Sequence, residues 1–459
     1  SNAGGLSSIS GIPTKGFNME NVTFSSCQST INGGIGLTIE SAPISFTNCH
    51  YINNISPNNG GALDISSSIK PTFEFCTFIG NQANNGVLSF STTENVNILN
   101  CTFKQNTATQ NAGVLYIQKT MSECNVINCT FEENTISSNT DQSSTAIFIA
   151  NSGDSETNTA IESCTFKDNA DSSQTKGYLI VSYSPQLTIN DTFVDFTQIE
   201  KSTGFLYVVK GRSSVHNTKV VNATGRSNDV GLSIVIHQDV ESAIFRYCEF
   251  VQCGSGTSKY SARDKGQETT FDFCSFIYHP SIDSLRCPAL YIDSSTSHTI
   301  TNTWIANSKC SRTGGFYFVD SSTSVFLTIQ NLTSQHANGN DRAAINLKLN
   351  PKANNIDISD ITVRDCIDGN LMGLELQAVG DFTFERLNII NNTCSVSYGG
   401  GTGIWITSPT TNISHLTFHE CLFANCTSYN PTVMLNFQGS GGGLQFGGYF
   451  QSKTIQFLF

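Results

Sequence analysis

The chain repeats itself, and that limits what it can fold into more than anything else in it. The tripeptide Cys-Thr-Phe begins at Cys76, Cys101, Cys129 and Cys164. Looser copies begin at Cys49, Asp191, Cys248, Cys274, Asn302 and Cys421, and weaker ones at Val22, Asn217, Asn331, Ile361 and Leu387. The copies recur about every 28 residues, roughly 15 times in all. Five positions after the Cys stands Asn (Asn54, Asn81, Asn106, Asn134, Asn169, Asn307, Asn392) or another Cys (Cys27, Cys253, Cys366, Cys426).

A second motif follows in each copy, a small-residue pair leading into an apolar strand. Gly60-Gly61-Ala62-Leu63, Ala112-Gly113-Val114-Leu115 and Gly314-Gly315-Phe316-Tyr317 are examples. Both motifs alternate with period two, as half-buried strands do. A unit this short, with strands, turns and no helix, cannot bury its apolar face alone, whereas stacked units can. The expected fold is all-β, a right-handed parallel β-helix of about 15 rungs with about 28 residues per rung. At ~4.8 Å per rung it would run roughly 70 Å. Like residues then stack on like. Cys49, Cys76, Cys101, Cys129 and Cys164 form one inward ladder, and Phe78, Phe103, Phe131 and Phe166 a second. Asn81, Asn106, Asn134 and Asn169 form a third at the turn, where Asn tolerates left-handed geometry and its amides can bond along the stack.

Composition agrees. Only 13% of the 459 residues are charged, with a net charge of −12. Stacked like charges would repel at every level, while Asn, Ser and Thr stack without that cost. An acidic surface disfavours nucleic-acid binding by phosphate neutralisation, so no nucleic-acid partner is expected. Nothing approaches 18 consecutive apolar residues, so no membrane span is expected either.

The paired signatures, Gly-Gly-Ala/Val-apolar and Phe-x-x-Asn, resemble the repeats of the polymorphic outer membrane protein family of chlamydial autotransporters and related protist surface proteins. The four-residue form is intact at Phe78–Asn81, Phe103–Asn106, Phe131–Asn134 and Phe166–Asn169. The resemblance implies a surface-exposed β-helical passenger with an adhesive role and a host-cell surface protein or glycan as partner.

Residues 1–3 read as a tag remnant and 4–459 as one continuous β-helical domain of a longer surface protein, monomeric, with neither end capped. Longer insertions are expected near 137–159, 226–230 and 395–401. Directly stacked cysteines aim their Cβ atoms alongside each other, so the Cys ladder is expected to be buried and reduced. Cys287 with Cys310, and Cys394 with Cys366 or Cys426, are the better disulfide candidates. No metal is expected, since the eight His do not cluster beside the cysteines, and no cofactor motif occurs.

The β-helix fold also hosts pectate lyases and polygalacturonases, so fold does not decide function. No motif of those enzymes stands complete, and no catalytic residue is assigned. Asp357, Asp360 and Asp365 could converge across rungs. A polysaccharide-active enzyme and a purely structural spacer are the alternatives to an adhesin. For the adhesin, the outward position of the strand after the small-residue pair reads Asp64, Ser89, Tyr116, Phe148, Ile180 and Tyr207, then Tyr291, Tyr317, Asn346, Glu375, Trp405 and Gln445. Tyr116, Phe148, Tyr207, Tyr291, Tyr317 and Trp405 would form a solvent-facing aromatic stripe able to stack on sugars or anchor a protein. The other reading is that flanking chain buries them. Ten Asn-x-Ser/Thr sequences are present, as many as so Asn- and Thr-rich a chain yields by chance.

Overall fold

The structure is a computed structural model. It describes residues 16–29, 36–38, 43–66, 69–120, 123–138, 143–150, 157–171, 177–197, 203–223, 234–253, 262–280, 289–294, 296–310, 315–320, 326–339, 342–349, 355–367, 370–376, 380–394, 404–408, 413–424, 427–428 and 435–437. The chain is an all-β, parallel β-solenoid with about 28 residues per turn. The expected single run of 15 rungs is not matched. The residues group into two compact units, Ser1–Ser227 and Asn228–Phe459.

In the first unit one turn comprises Val96–Leu99, Thr102–Lys104, Thr107–Ala108 and Leu115–Thr120. Each strand pairs in parallel with its equivalent one turn on, so Thr102 faces Thr130, Phe103 faces Phe131, and Leu115 faces Ile147. The second unit repeats the pattern, with Glu268–Asp272 pairing with Ser297–Thr301 and Leu290–Ser294 with Phe316–Asp320.

Two corners per turn explain the sequence period. At each, one residue takes a left-handed backbone, as Asn48, Asn100 and Asn128 do at the first corner and Asn53, Gly80 and Gln105 at the second. Asn meets this need at low cost because its short side chain tolerates the left-handed region. The next residue points inward. Cys101 and Cys129 direct their sulfurs at the carbonyls two residues back, Leu99 O at 3.2 Å and Ile127 O at 3.3 Å. Where Thr takes that position it makes the same bond, Thr192 to Asn190 O and Thr303 to Thr301 O, both at 2.9 Å. The cysteine ladder is therefore a row of small donors that tie off the corner carbonyls.

The small-residue pair has an equally local cause. A Cβ on Gly113 would collide with the carbonyl oxygen of Thr145 one turn on, and one on Gly315 with that of Ala344. Only glycine lets the turns approach there.

Some copies slip by one residue. Val194, not Phe193, faces Phe166, and Ile305, not Trp304, faces Phe276. Asp191, Asn217, Asn302 and Asn331 are thus corner residues, and the Cys position is filled by Thr192, Thr218, Thr303 and Leu332. Asn307 is likewise a corner residue rather than a ladder member. Because the side-chain period is two, a one-residue slip reverses faces, leaving Phe193 and Trp304 exposed.

Candidate functional site

The interior of the first unit is built from three stacked columns. Phe78, Phe103, Phe131 and Phe166 are fully buried, with ring centroids 4.6–4.8 Å apart and planes within 12°. Asn54, Asn81, Asn106, Asn134 and Asn169 are buried beside them. The Asn106 amide donates to Phe78 O and to Asn134 Oδ1, both at 2.9 Å. Its own Oδ1 accepts from the Asn81 amide and the Asn81 backbone N–H, both at 3.0 Å. Every polar atom of this side chain is satisfied inside an apolar core, and such chains of bonds polarise one another.

Cys49, Cys76, Cys101, Cys129 and Cys164 form the third column, buried and free of disulfides. Elsewhere in the interior, burial pushes the Cys124 and Cys366 thiols up to about 12. Cys366 is a free thiol, not paired with Cys394. Cys287 and Cys426, and the side chains of Cys310 and Cys394, lie outside the described residues. A thiol with a raised pKa carries almost no thiolate at pH 8, and the thiolate is the reactive form. Among the described cysteines, Cys27 alone is half-buried. Burial shields the ladder sulfurs from reagent even at Cys76, whose thiol pKa the Cys101 side chain lowers. With Ellman's reagent at pH 8, the buried thiols should react only at the rate of unfolding, and all at once in denaturant.

The solvent-facing aromatic stripe is corrected. Tyr116, Phe148, Tyr291 and Tyr317 are all buried, and Tyr207 is half-buried. Large rings on successive turns cover one another. Tyr116 packs against Phe148 at 5.8 Å, Phe148 against Tyr183 at 5.9 Å, Tyr178 against Tyr207 at 5.1 Å and Tyr291 against Tyr317 at 5.3 Å. Strand Ser144–Ile149 is buried on both faces. Burial raises the Tyr116 phenol pKa, and the Asn111 side chain hydrogen-bonds to it. Register also places Val181 rather than Ile180, and Gly373 rather than Glu375, in this row. Trp405 pairs with Gly373, but its side chain lies outside the described residues. Of the expected insertions, 139–142, 151–156, 226–230 and 395–401 lie outside them as well, as do 1–15 and 438–459.

The exposed aromatics sit elsewhere. In the second unit the first corner is occupied by Tyr247 and Phe273, with φ of 54° and 50°. Left-handed backbone costs a bulky L-residue roughly 1–2 kcal/mol, and here two successive turns bear it. The rings are 59% and 49% exposed and stack on each other with centroids 5.0 Å apart. Trp304, 40% exposed, lies on the following turn and pairs with Ser275, two residues beyond Phe273. In the first unit Phe75 is also left-handed and exposed, but Asn48 and Asn100 flank it on the adjacent turns.

Polar groups brace the pair from behind. Asp272 Oδ1 accepts from Thr301 Oγ1 at 2.7 Å and from the Asn302 amide at 3.0 Å, and Arg246 Nε lies 3.8 Å from Asp272 Oδ2. Asn331 in turn donates to Asn302 Oδ1 at 2.9 Å. The corner is a braced, strained, exposed aromatic step, which is where function is to be sought. Its signal was present in the sequence: the residue before each inward Cys is usually Asn, Ser or Asp, and Tyr247 and Phe273 break that rule in succession.

The three candidate carboxylates are each occupied. Asp360 forms a two-bond ion pair with Arg386 at 2.6 and 2.7 Å, which holds its carboxyl below the usual range. Asp357 accepts from Gln330 at 2.8 Å and Asp365 from Asn391 at 3.3 Å. Among the described residues no group of three potential metal ligands converges. No family model, curated protein or solved structure matches the chain.

Proposed function

We propose that this protein is a non-enzymatic, cell-surface binding scaffold, an adhesin of the polymorphic outer membrane protein type, whose partner is a host-cell surface protein or glycan. A right-handed coil in each unit and a monomeric state belong to the same proposal. The observation that carries it is the Tyr247–Phe273 step with Trp304 beside it. Strained, exposed aromatics are unfavourable for the free protein, and rigid aromatic anchors supply much of the energy in recognition. A binding reading is preferred to a polysaccharide-active enzyme because Asp360 is neutralised by Arg386 instead of being held ready to exchange a proton. The test is a glycan array together with an attachment assay on cultured host cells, using folded and heat-unfolded protein. Saturable attachment by the folded form alone is expected. Equal signal from both forms, or none from either, would refute the proposal.

A further inference from the structure

The Asn-x-Thr sequences acquire a structural meaning at the corners. Asn128-Cys129-Thr130 consists of a left-handed corner Asn, an inward Cys and a Thr opening the next strand with its side chain outward. Asn21-Val22-Thr23 and Asn331-Leu332-Thr333 have the same form, and Asn391-Asn392-Thr393 occupies the second corner. All four of these asparagines are exposed. Asn54-Ile55-Ser56 is the opposite case. Asn54 is fully buried, and its amide donates to Phe24 O at 3.2 Å and to Asn81 Oδ1 at 2.9 Å.

We infer that Asn21, Asn128, Asn331 and Asn391 are N-glycosylation sites and that Asn54 is not, an inference that rests on the extracellular reading above. In the transfer, Nδ2 bonds to C1 of the sugar of a lipid-pyrophosphate-linked oligosaccharide. The C1–O bond to phosphate breaks, the lipid pyrophosphate leaves, and a base of the transferase takes one amide proton. The glycosylated amide keeps one N–H. That N–H can still make the bond from Asn128 to Asn100 Oδ1 at 2.6 Å, from Asn331 to Asn302 Oδ1 at 2.9 Å and from Asn391 to Asp365 Oδ1 at 3.3 Å. Asn54 uses both amide hydrogens inside the core, so a sugar there is incompatible with the folded ladder. Asn100 is also a corner Asn in an Asn-Cys-Thr sequence, but it lies one turn, ~4.8 Å, from Asn128. Two glycans would collide, so a sugar on Asn128 leaves Asn100 bare.

The test is secretion of the full chain from a eukaryotic cell line, followed by peptide mass spectrometry with enzymatic deglycosylation in isotopically labelled water. In the soluble, folded fraction most copies should be modified at Asn21, Asn128, Asn331 and Asn391 and none at Asn54. Modified Asn54 in folded protein, or any of the four corner sites left predominantly bare, would overturn the inference. Attachment of the deglycosylated protein to host cells distinguishes the two ideas, because bare protein that still attaches leaves the binding reading intact whatever the occupancy.

Discussion

Replacing Asn106 by Asp should unfold the first unit or leave it barely stable at pH 7, although the two side chains have the same shape. The amide hydrogens that reach Phe78 O and Asn134 Oδ1 are lost, and a carboxylate oxygen faces both acceptors instead. Each orphaned buried group costs about 1–3 kcal/mol. An unpaired buried charge adds about 3–5 kcal/mol, so the total rivals the stability of a whole domain. The pH dependence follows in sign. The charged form is the one that clashes, so the folded variant holds a proton that the unfolded chain releases near pH 4. Stability is therefore greatest below that pH and falls as pH rises through the folded-state value. Urea unfolding at pH 4 and pH 7 reads this directly. Asn106→Ala lacks the charge and should be destabilised by several kcal/mol with little pH dependence. A variant Asn106→Asp as stable as the wild type at pH 7 would show that the ladder is not what holds the turns in register.

The second large effect is expected in the interior of the other unit. Asp264 and His298 are buried there, with Asp264 Oδ2 3.2 Å from His298 Nδ1 but not aligned with it as a hydrogen bond. Asp264 Oδ1 accepts the Gly266 N–H at 2.7 Å, and the His298 ring packs edge-on against Phe318. The surrounding columns are otherwise mainly apolar. Asp264 stands between Ile236 and Ile292, and Leu327 follows His298. Substituting His298 by Leu leaves the carboxylate buried without its partner and should cost about 3–5 kcal/mol. The double change Asp264→Ile with His298→Leu follows the neighbouring turns and should recover wild-type stability or exceed it. A double-mutant cycle separates these outcomes, since two additive single losses would mean that the side chains do not act as a pair.

Most of the fold was legible because stacking turns a one-dimensional period into a three-dimensional column. Cys101, Phe103 and Asn106 announce themselves by recurring with their equivalents in the next turn. Register was harder. Where Thr192 or Thr303 replaces Cys, the most Cys-like local pattern lies one residue off, and the error reverses faces, as Phe193 and Trp304 show. Exposure was harder still. Alternation predicts which side of a strand Tyr116 leaves, but whether anything covers that side depends on contacts such as Asn111 and Tyr183 that period alone does not encode. The corner rule is readable in the sequence, but period-two alternation singles out aromatics on strands, while Tyr247 and Phe273 sit between them. The Asp264–His298 pair had no signal at all, because its partners are 34 residues apart and share no motif.

The most direct test substitutes the aromatic corner with residues that suit its backbone. Tyr247→Asn combined with Phe273→Gly places at each corner a residue type that tolerates the left-handed region, so the fold should lose strain while the step disappears. Thermal unfolding and host-cell attachment are measured on the same preparations. An unchanged or raised Tm together with at least a tenfold loss of attachment, about 1.4 kcal/mol or more of binding energy, is the expected result. A raised Tm with attachment undiminished would show that the exposed aromatic pair is not the contact surface, and would contradict the account.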